Sequence, residues 1–293
     1  MYAIGVDIGG MSAKIGVVCR DRVLEEKRLE TGADLPFDTF VKRLAETIGQ
    51  MRRSYCVDRI GVSSCGLIDR RAGTIVTSNN IRWENKPLAQ ALSEATGLPV
   101  RMANDGKCAA LAEAVWGAGR DFDRVCMLTL GTGVGGGFAC GKRLPDASAY
   151  GDGDGILGHI TLERGGRPCT CGRRGCLEAY ASATAIAARY REMTGEEKSV
   201  QRIFALAADG QEQARAVVAA FRADLTDGIV SLVNVLRPEI VVIGGGVAGS
   251  AALFLPGMEE QVNREIFGGV YLPVKLAAAE MGNRAGILGA ALL

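Results

Sequence analysis

A strand, a glycine turn and a second strand occur twice in this chain, roughly one lobe apart. The first copy is Tyr2 to Val6, ending in Asp7-Ile8-Gly9-Gly10 and followed by strands predicted over Ala13 to Cys19 and Val23 to Leu29. The second is Arg124 to Leu130, which breaks into the run Gly131 to Gly137 and resumes at Phe138. A chain of 293 residues is longer than one hydrophobic core usually supports. The expectation is therefore two α/β lobes that face each other across a cleft, with glycine turns on both walls. Residues 1–117 would form the first lobe and residues 118–284 the second. A last helix, 285–293, would return to pack on the first lobe.

Between the two hairpins, Phe37, Phe40, Val41, Leu44, Ile48 and Met51 recur at helical spacing. Arg59 to Ser63 reads as a buried strand and Leu88 to Thr96 as a helix stopped by Gly97. Val100 to Ala103 is a strand that ends in Asn104-Asp105, and a helix from Lys107 to Trp116 follows. Further helices are predicted over Ala183 to Arg191, Val200 to Ala208 and Gln213 to Asn234. A strand then runs from Glu239 to Ile243 into Gly244-Gly245-Gly246.

Lys plus Arg is 34 and Asp plus Glu is 33, so no basic surplus points to nucleic acid or an anionic membrane. No apolar run reaches the length of a membrane span, and Asp7 interrupts the stretch that a secretory signal would need to keep apolar. Six of the nine cysteines (Cys19, Cys56, Cys65, Cys108, Cys126, Cys140) lack framework spacing, which fits reduced thiols in a cytoplasmic protein.

The other three cysteines stand near the sole histidine. His159 precedes Cys169 by ten residues, and Cys171 and Cys176 follow. Three thiolates and one imidazole fill all four positions around zinc and leave none for water, so a structural site is expected. The plainer alternative is three unrelated buried thiols and a surface histidine.

Glycine lets a backbone approach a phosphate and donate its N–H groups to the anion. Gly9-Gly10 and Gly131 to Gly137 meet that need, although a bulge or a tight hairpin would need glycine as well. Neither turn is a Walker motif or a dinucleotide fingerprint. Gly244 to Gly246 lies at the carboxyl end of a strand, where α/β lobes bind ligands. Asp105, between a buried strand and a helix, is the candidate catalytic carboxylate, its plainer role being an N-cap. Asn104 offers a donor and acceptors suited to a polyhydroxylated ligand. Glu178 follows Cys176 by two residues and would be a second carboxylate fixed by the metal loop, or else a solvated residue in a first helical turn.

Taken together, Asp7-Ile-Gly-Gly10, the run from Asn104 to Glu113, Leu130 to Gly137, Gly158-His159, Cys169-x-Cys-Gly-x-x-Gly-Cys-x-Glu178 and Ile243 to Val247 resemble the ROK group of sugar kinases, in the right order over nearly the whole chain. The resemblance implies an actin-like, ribonuclease-H-like fold that binds ATP, magnesium and a hexose. It implies zinc at His159, Cys169, Cys171 and Cys176, and Asp105 as general base. Gly66, Asn80, Asn104, His159 and Glu178 would contact the sugar. Gly9, Gly10, Ser12, Lys14, Gly131, Thr132, Gly133 and Gly135 would hold the triphosphate, with Asp7 ordering waters on magnesium and Gly244, Gly245 and Gly246 flanking adenosine. It suggests a homodimer.

Two residues depart from the group's pattern. Ile156 stands where a Glu usually bonds sugar hydroxyls, and Met11 stands where Thr usually follows the glycine pair, with Ser12 as a candidate replacement. Asp152 or Asp154 could reach the hydroxyl that Ile156 leaves unmet. Three readings follow: a glucokinase, a kinase for another hexose such as N-acetylmannosamine, and a sugar-sensing regulator. The last is disfavoured, because the first phosphate turn comes only a few residues after Met1 and leaves no room for a DNA-binding segment.

Overall fold

The computed structural model describes residues 2–31, 35–78, 80–146 and 155–293. In chain order its strands and helices are β1 (Tyr2–Ile8), β2 (Ser12–Cys19), β3 (Arg22–Glu30), α1 (Phe37–Met51), β4 (Val57–Ser64), β5 (Leu67–Asp69), β6 (Thr74–Ser78), β7 (Trp83–Lys86), α2 (Leu88–Thr96), β8 (Val100–Asn104) and α3 (Asp105–Val115). There follow β9 (Arg124–Leu130), β10 (Val134–Cys140), α4 (Glu178–Ala181), α5 (Ala183–Thr194), α6 (Val200–Ala208), α7 (Glu212–Leu236), β11 (Ile240–Gly244), α8 (Ala251–Phe254), α9 (Met258–Glu265), β12 (Lys275–Ala278) and α10 (Ala285–Ala291). The described residues divide into two compact units. One comprises Met1–Trp116, Lys142–Gly155 and Asn283–Leu293; the other comprises Gly117–Gly141 and Ile156–Gly282. Among the described residues no helix is long and apolar enough to cross a membrane.

The first unit is built on a five-stranded sheet in the order β3-β2-β1-β4-β8. β1 to β3 form an antiparallel meander, and β4 and β8 add in parallel. β1, β2 and β4 are buried along most of their length, so they read as apolar runs rather than as alternation. Helix α1 buries Phe40, Val41, Leu44, Ile48 and Met51, the stripe its periodicity predicts. Helix α2 ends at Gly97 with φ 70°, a left-handed cap that glycine adopts without strain.

The opposite face receives α10. Gly16 pairs with Gly5, and Gly5 pairs with Gly61, so a row of three glycines crosses β2, β1 and β4. A Cβ at Gly61 would run into the Ala290 carbonyl, and one at Gly16 would stand 2.7 Å from the Ile287 side chain. The row is a flat saddle on which the helix backbone rests. On its other side, α10 meets α3 equally closely, where a Cβ on Gly289 would strike the Cys108 carbonyl. A separate three-stranded antiparallel sheet, β5-β6-β7, completes this unit.

The second unit repeats the scheme with a sheet in the order β10-β9-β11-β12. The hairpin β9–β10 is antiparallel, and β11 and β12 extend it in parallel. Its core packs Phe204, Phe221 and Phe254 against one another, with ring centroids 5.2 to 5.8 Å apart. Ser182 and Ser199 cap α5 and α6 by accepting from the N–H groups of Ala185 and Arg202.

One expectation is corrected here. The strand after the second glycine turn resumes at Val134, not Phe138, so only Gly131 to Gly133 form the turn. Gly135 to Gly137 lie within β10, where glycine is needed for packing. A Cβ on Gly135 would stand 2.6 Å from Thr129 Oγ1, and one on Gly136 would strike the Met127 carbonyl.

Candidate active site

In the first unit the polar residues collect at the carboxyl ends of β1, β4 and β8. Asp7 lies on β1 beside Ser63 of β4, whose hydroxyl donates to its Oδ1 at 2.8 Å. A Cβ on Gly286 would stand 2.5 Å from the same carboxylate, so the start of α10 closes over Asp7. Burial pushes the Asp7 pKa up, while the Ser63 hydrogen bond and the charge of Lys14 pull it down. Lys14 sits across from Asp7 in the β1–β2 register and donates to the Asn283 carbonyl at 3.3 Å. The turn between these strands is closed by the Gly9 N–H on the Ser12 carbonyl at 3.0 Å, and the Thr31 hydroxyl holds the Gly9 carbonyl. Met11 projects from this turn, 83% exposed.

Gly66 follows β4 with φ 103°, and a Cβ there would collide with the Thr77 carbonyl, so no other residue fits without strain. Its carbonyl accepts from Asn104 Nδ2 at 3.0 Å. The other end of the Asn104 amide accepts from the Gly106 N–H, making Asn104 the N-cap of α3. Asp105 is therefore not the cap but the first helical residue, though its Oδ1 also accepts from the Gly106 N–H at 2.8 Å. Asp105 keeps a face open to water. Desolvation by the protein around it and the like charge of Asp7 still raise its pKa, against the Gly106 and Asn104 hydrogen bonds that lower it. The carboxylate is thus a stronger base than an ordinary aspartate. Asn80 lies against Gly10, whose added Cβ would stand 3.2 Å from it.

Asp7, Gly10, Gly66, Asn80, Asn104 and Asp105 thus share one end of the first unit. Ser63, Cys65 and Ser78 also belong there and were missed from sequence. Cys65 Sγ lies 3.3 Å from Ser78 Oγ beneath Gly66. The signal was available: Ser63-Ser64 puts two hydroxyls at the buried carboxyl end of β4, directly after the apolar Ile60-Gly61-Val62.

In the second unit Glu178 joins three features. Its Oε2 accepts from the Val134 N–H at 3.1 Å, and its Oε1 accepts from the Thr170 hydroxyl at 2.7 Å and lies 3.4 Å from Cys169 Sγ. A Cβ on Gly133 would overlap Oε2. The residue is a brace between the glycine turn and the cysteine loop rather than a solvated helical position. The turn is further held by Ala183 N–H on the Gly131 carbonyl and by the Thr184 hydroxyl on the Thr132 carbonyl, both at 2.7 Å. Gly245, with φ 82°, presses against the Leu130 carbonyl and so sets Gly244 to Gly246 beside the same turn.

The metal-ligand expectation has a direct test in the donor set. One ligand atom each from His159, Cys169, Cys171 and Cys176 lies within 4.8 Å of every other. Cys169 Sγ is 3.6 Å from His159 Nδ1, and Cys171 Sγ is 3.7 Å from Cys176 Sγ. Tetrahedral zinc with Zn–S near 2.3 Å places its ligand atoms about 3.5 to 3.8 Å apart, so these residues fit the ion. Arg173 pins the loop by donating to the His159 carbonyl and to Thr161 Oγ1. Ile156 stands just before His159, 59% exposed. Asp152 and Asp154 lie outside the described residues.

The chain and its fold are similar to those of known proteins. The chain is 34% identical to a glucokinase of Thermotoga maritima, over 98% of this chain and 95% of that protein. Its structure matches a ROK hexokinase from Thermus thermophilus with a TM-score of 0.86 and 33% identity, covering 100% of this chain and 97% of the other. It matches a ROK glucokinase from Streptomyces griseus, solved with glucose and AMPPNP, with a TM-score of 0.82 and 29% identity over 99% and 98% of the two chains. The fold is the actin-like, ribonuclease-H-like α/β fold of these kinases. The model of the ROK family matches residues 3–293, and the chain belongs to that family.

Proposed function

We propose that this protein is an ATP-dependent hexose kinase that transfers the γ-phosphate of ATP to a glucose hydroxyl, with Asp105 as general base. The observation that carries the reading is the Asp105 carboxylate itself. It is solvent-accessible, held at the start of α3 by the Gly106 N–H, raised in basicity, and flanked by Asn104 with its amide locked onto Gly66. Such a group, in its ionised form, takes the proton of an attacking hydroxyl.

Phosphoryl transfer needs positioning and charge neutralisation more than covalent help. Asn80, Asn104, Gly66, His159 and Glu178 are assigned to the sugar. Gly9, Gly10, Ser12, Lys14 and the turn Gly131-Thr132-Gly133 are assigned to the triphosphate, and Gly244 to Gly246 to adenosine. Gly135, in β10 next to that turn, is assigned to the triphosphate as well. Magnesium, when bound, neutralises the β- and γ-phosphate oxygens. Asp7 suits its hydration shell, because it is a half-buried carboxylate whose one side-chain hydrogen bond comes from Ser63 and which has no ion pair among the described residues. Zinc in the His159, Cys169, Cys171 and Cys176 set would hold the loop that carries Glu178. The protein would act in the cytoplasm as a homodimer.

Ile156 favours a second reading, a hexose other than glucose such as N-acetylmannosamine, because an apolar side chain at that place cannot bond a hydroxyl. ATP turnover measured against a panel of hexoses and N-acetylhexosamines decides between the two. No turnover with any of them, in zinc-loaded protein with magnesium present, would remove the kinase reading.

A further inference from the structure

The first unit holds a recess of about 940 Å³ that the proposed catalytic residues do not line. Its cationic walls come from separate parts of the chain: Arg70 and Arg71 after β5, Arg101 on β8, and Lys142 and Arg143 after β10. Among the described residues, Asp146 is the only acidic side chain on its walls. The whole chain carries a net charge of only +1, so five basic side chains against one acidic one around one recess is a strong local imbalance.

The site is built as well as charged. Arg70 Nη1 donates to the Pro145 carbonyl at 2.7 Å, which ties the segment after β10 to the β5–β6 turn. Arg101 Nη1 donates to the Leu293 backbone oxygen at 3.2 Å, which fixes a second wall. Arg71 and Arg143 are exposed and hold no ion pair among the described residues. Two anchored guanidinium groups and two open ones suit an anion with several oxygens, because the planar fork of arginine bonds phosphate in pairs. The volume is that of a small-metabolite site and well beyond the needs of a single inorganic anion.

We propose that this recess is a second site for a phosphorylated small anion, either a sugar phosphate monoester or a short polyphosphate, and that its occupancy bears on the sugar-binding residues. The route is short and covalent. β8 crosses the recess with Val100, Arg101 and Met102 and ends at Asn104, next to Asp105. β5 starts directly after Gly66, whose carbonyl holds Asn104, and leads into Arg70 and Arg71. A ligand that draws these two walls together moves both partners of the Asn104–Gly66 hydrogen bond. The binding claim stands by itself, while the regulatory claim rests on the hexose kinase reading.

The test is calorimetric titration of the full chain with glucose 6-phosphate and, separately, with tripolyphosphate. The parent is compared with Arg71→Gln/Arg143→Gln and with Arg101→Gln. For at least one probe the parent should show a binding event that is absent or weakened about tenfold or more in both variants, and that weakens with added salt. Glucose 6-phosphate alone would identify a sugar monoester as the ligand, and tripolyphosphate alone a phosphate chain. In turnover assays the variants should keep the parental rate and lose only the part of glucose 6-phosphate inhibition that glucose cannot overcome. Isotherms identical in parent and variants for both probes would overturn the proposal. A chain that binds a probe at Arg71 and Arg143 but phosphorylates no hexose would keep the site and reject the kinase.

Discussion

Replacing Asp105 by Asn should damage turnover while making the folded protein more stable. The amide keeps the shape and an oxygen for the Gly106 N–H, now held at 2.8 Å, and Asn104 still caps α3 through the same N–H. What is lost is the ability to take a proton, worth about a hundredfold to ten-thousandfold in rate, or roughly 2.7 to 5.5 kcal/mol of barrier. Sugar affinity should change little. The stability effect follows from the raised pKa. A carboxyl whose folded value lies above its unfolded value contributes stability that is fully present below the unfolded pKa and is lost as pH rises through the folded one. Where Asp105 is ionised the parent therefore holds an unfavourable charge facing Asp7, and the Asn variant does not. The variant should melt above the parent at pH 7, and the difference should shrink towards pH 4. Parental turnover should fall on the acid side at a pH above the ordinary aspartate range. The assays are coupled ATP turnover from pH 4 to 9, sugar titration, and thermal melts at both pH values. Turnover within a few-fold of the parent would remove Asp105 from the base role, and a lower melt at pH 7 would refute the electrostatic argument.

Metal analysis of purified protein should find about one zinc per chain, and Cys171→Ser should release it with a large loss of stability, since structural zinc can contribute on the order of 10 kcal/mol; metal-free native protein would contradict this. Gly133→Ala should push Glu178 off the Val134 N–H, cost about 1.5 to 3 kcal/mol, and raise the sugar KM by about tenfold or more, so parental kinetics would show that Glu178 is no brace. Ile156→Glu should lower the glucose KM by roughly tenfold with little change in kcat, and an unchanged or higher KM would instead favour a pocket shaped for another sugar.

The long periodic elements could be read from the residues. Phe37–Met51, Leu88–Thr96, Val200–Ala208 and Arg124–Leu130 have the ends that apolar spacing and caps set for them. The sheet β5-β6-β7 was not legible, because strands of three to five residues are too short to show alternation. Gly135 to Gly137 were misassigned for a different reason. Glycine marks a turn and a crowded strand alike, and only the Thr129 and Met127 neighbours across the hairpin tell them apart. Of the candidate site, Asn104, Asp105 and the cysteine loop stood out by residue type and spacing. Ser63 and the raised pKa of Asp105 depend on which strands lie side by side, which no local pattern records.

The glycine saddle has a consequence for synthesis. Gly16, Gly5 and Gly61 are all made early, but the helix that covers them begins 170 residues after α3 ends at Val115. At about 5 to 20 residues per second, the sheet waits roughly 10 to 35 s on the ribosome for its cover. A face lined with leucine would be a hazard for that long, whereas a row of bare backbone offers neighbouring chains little apolar surface to grip. The same geometry that lets α10 lie flat also keeps the unfinished lobe from sticking, and it makes closure over Asp7 one of the last events in folding.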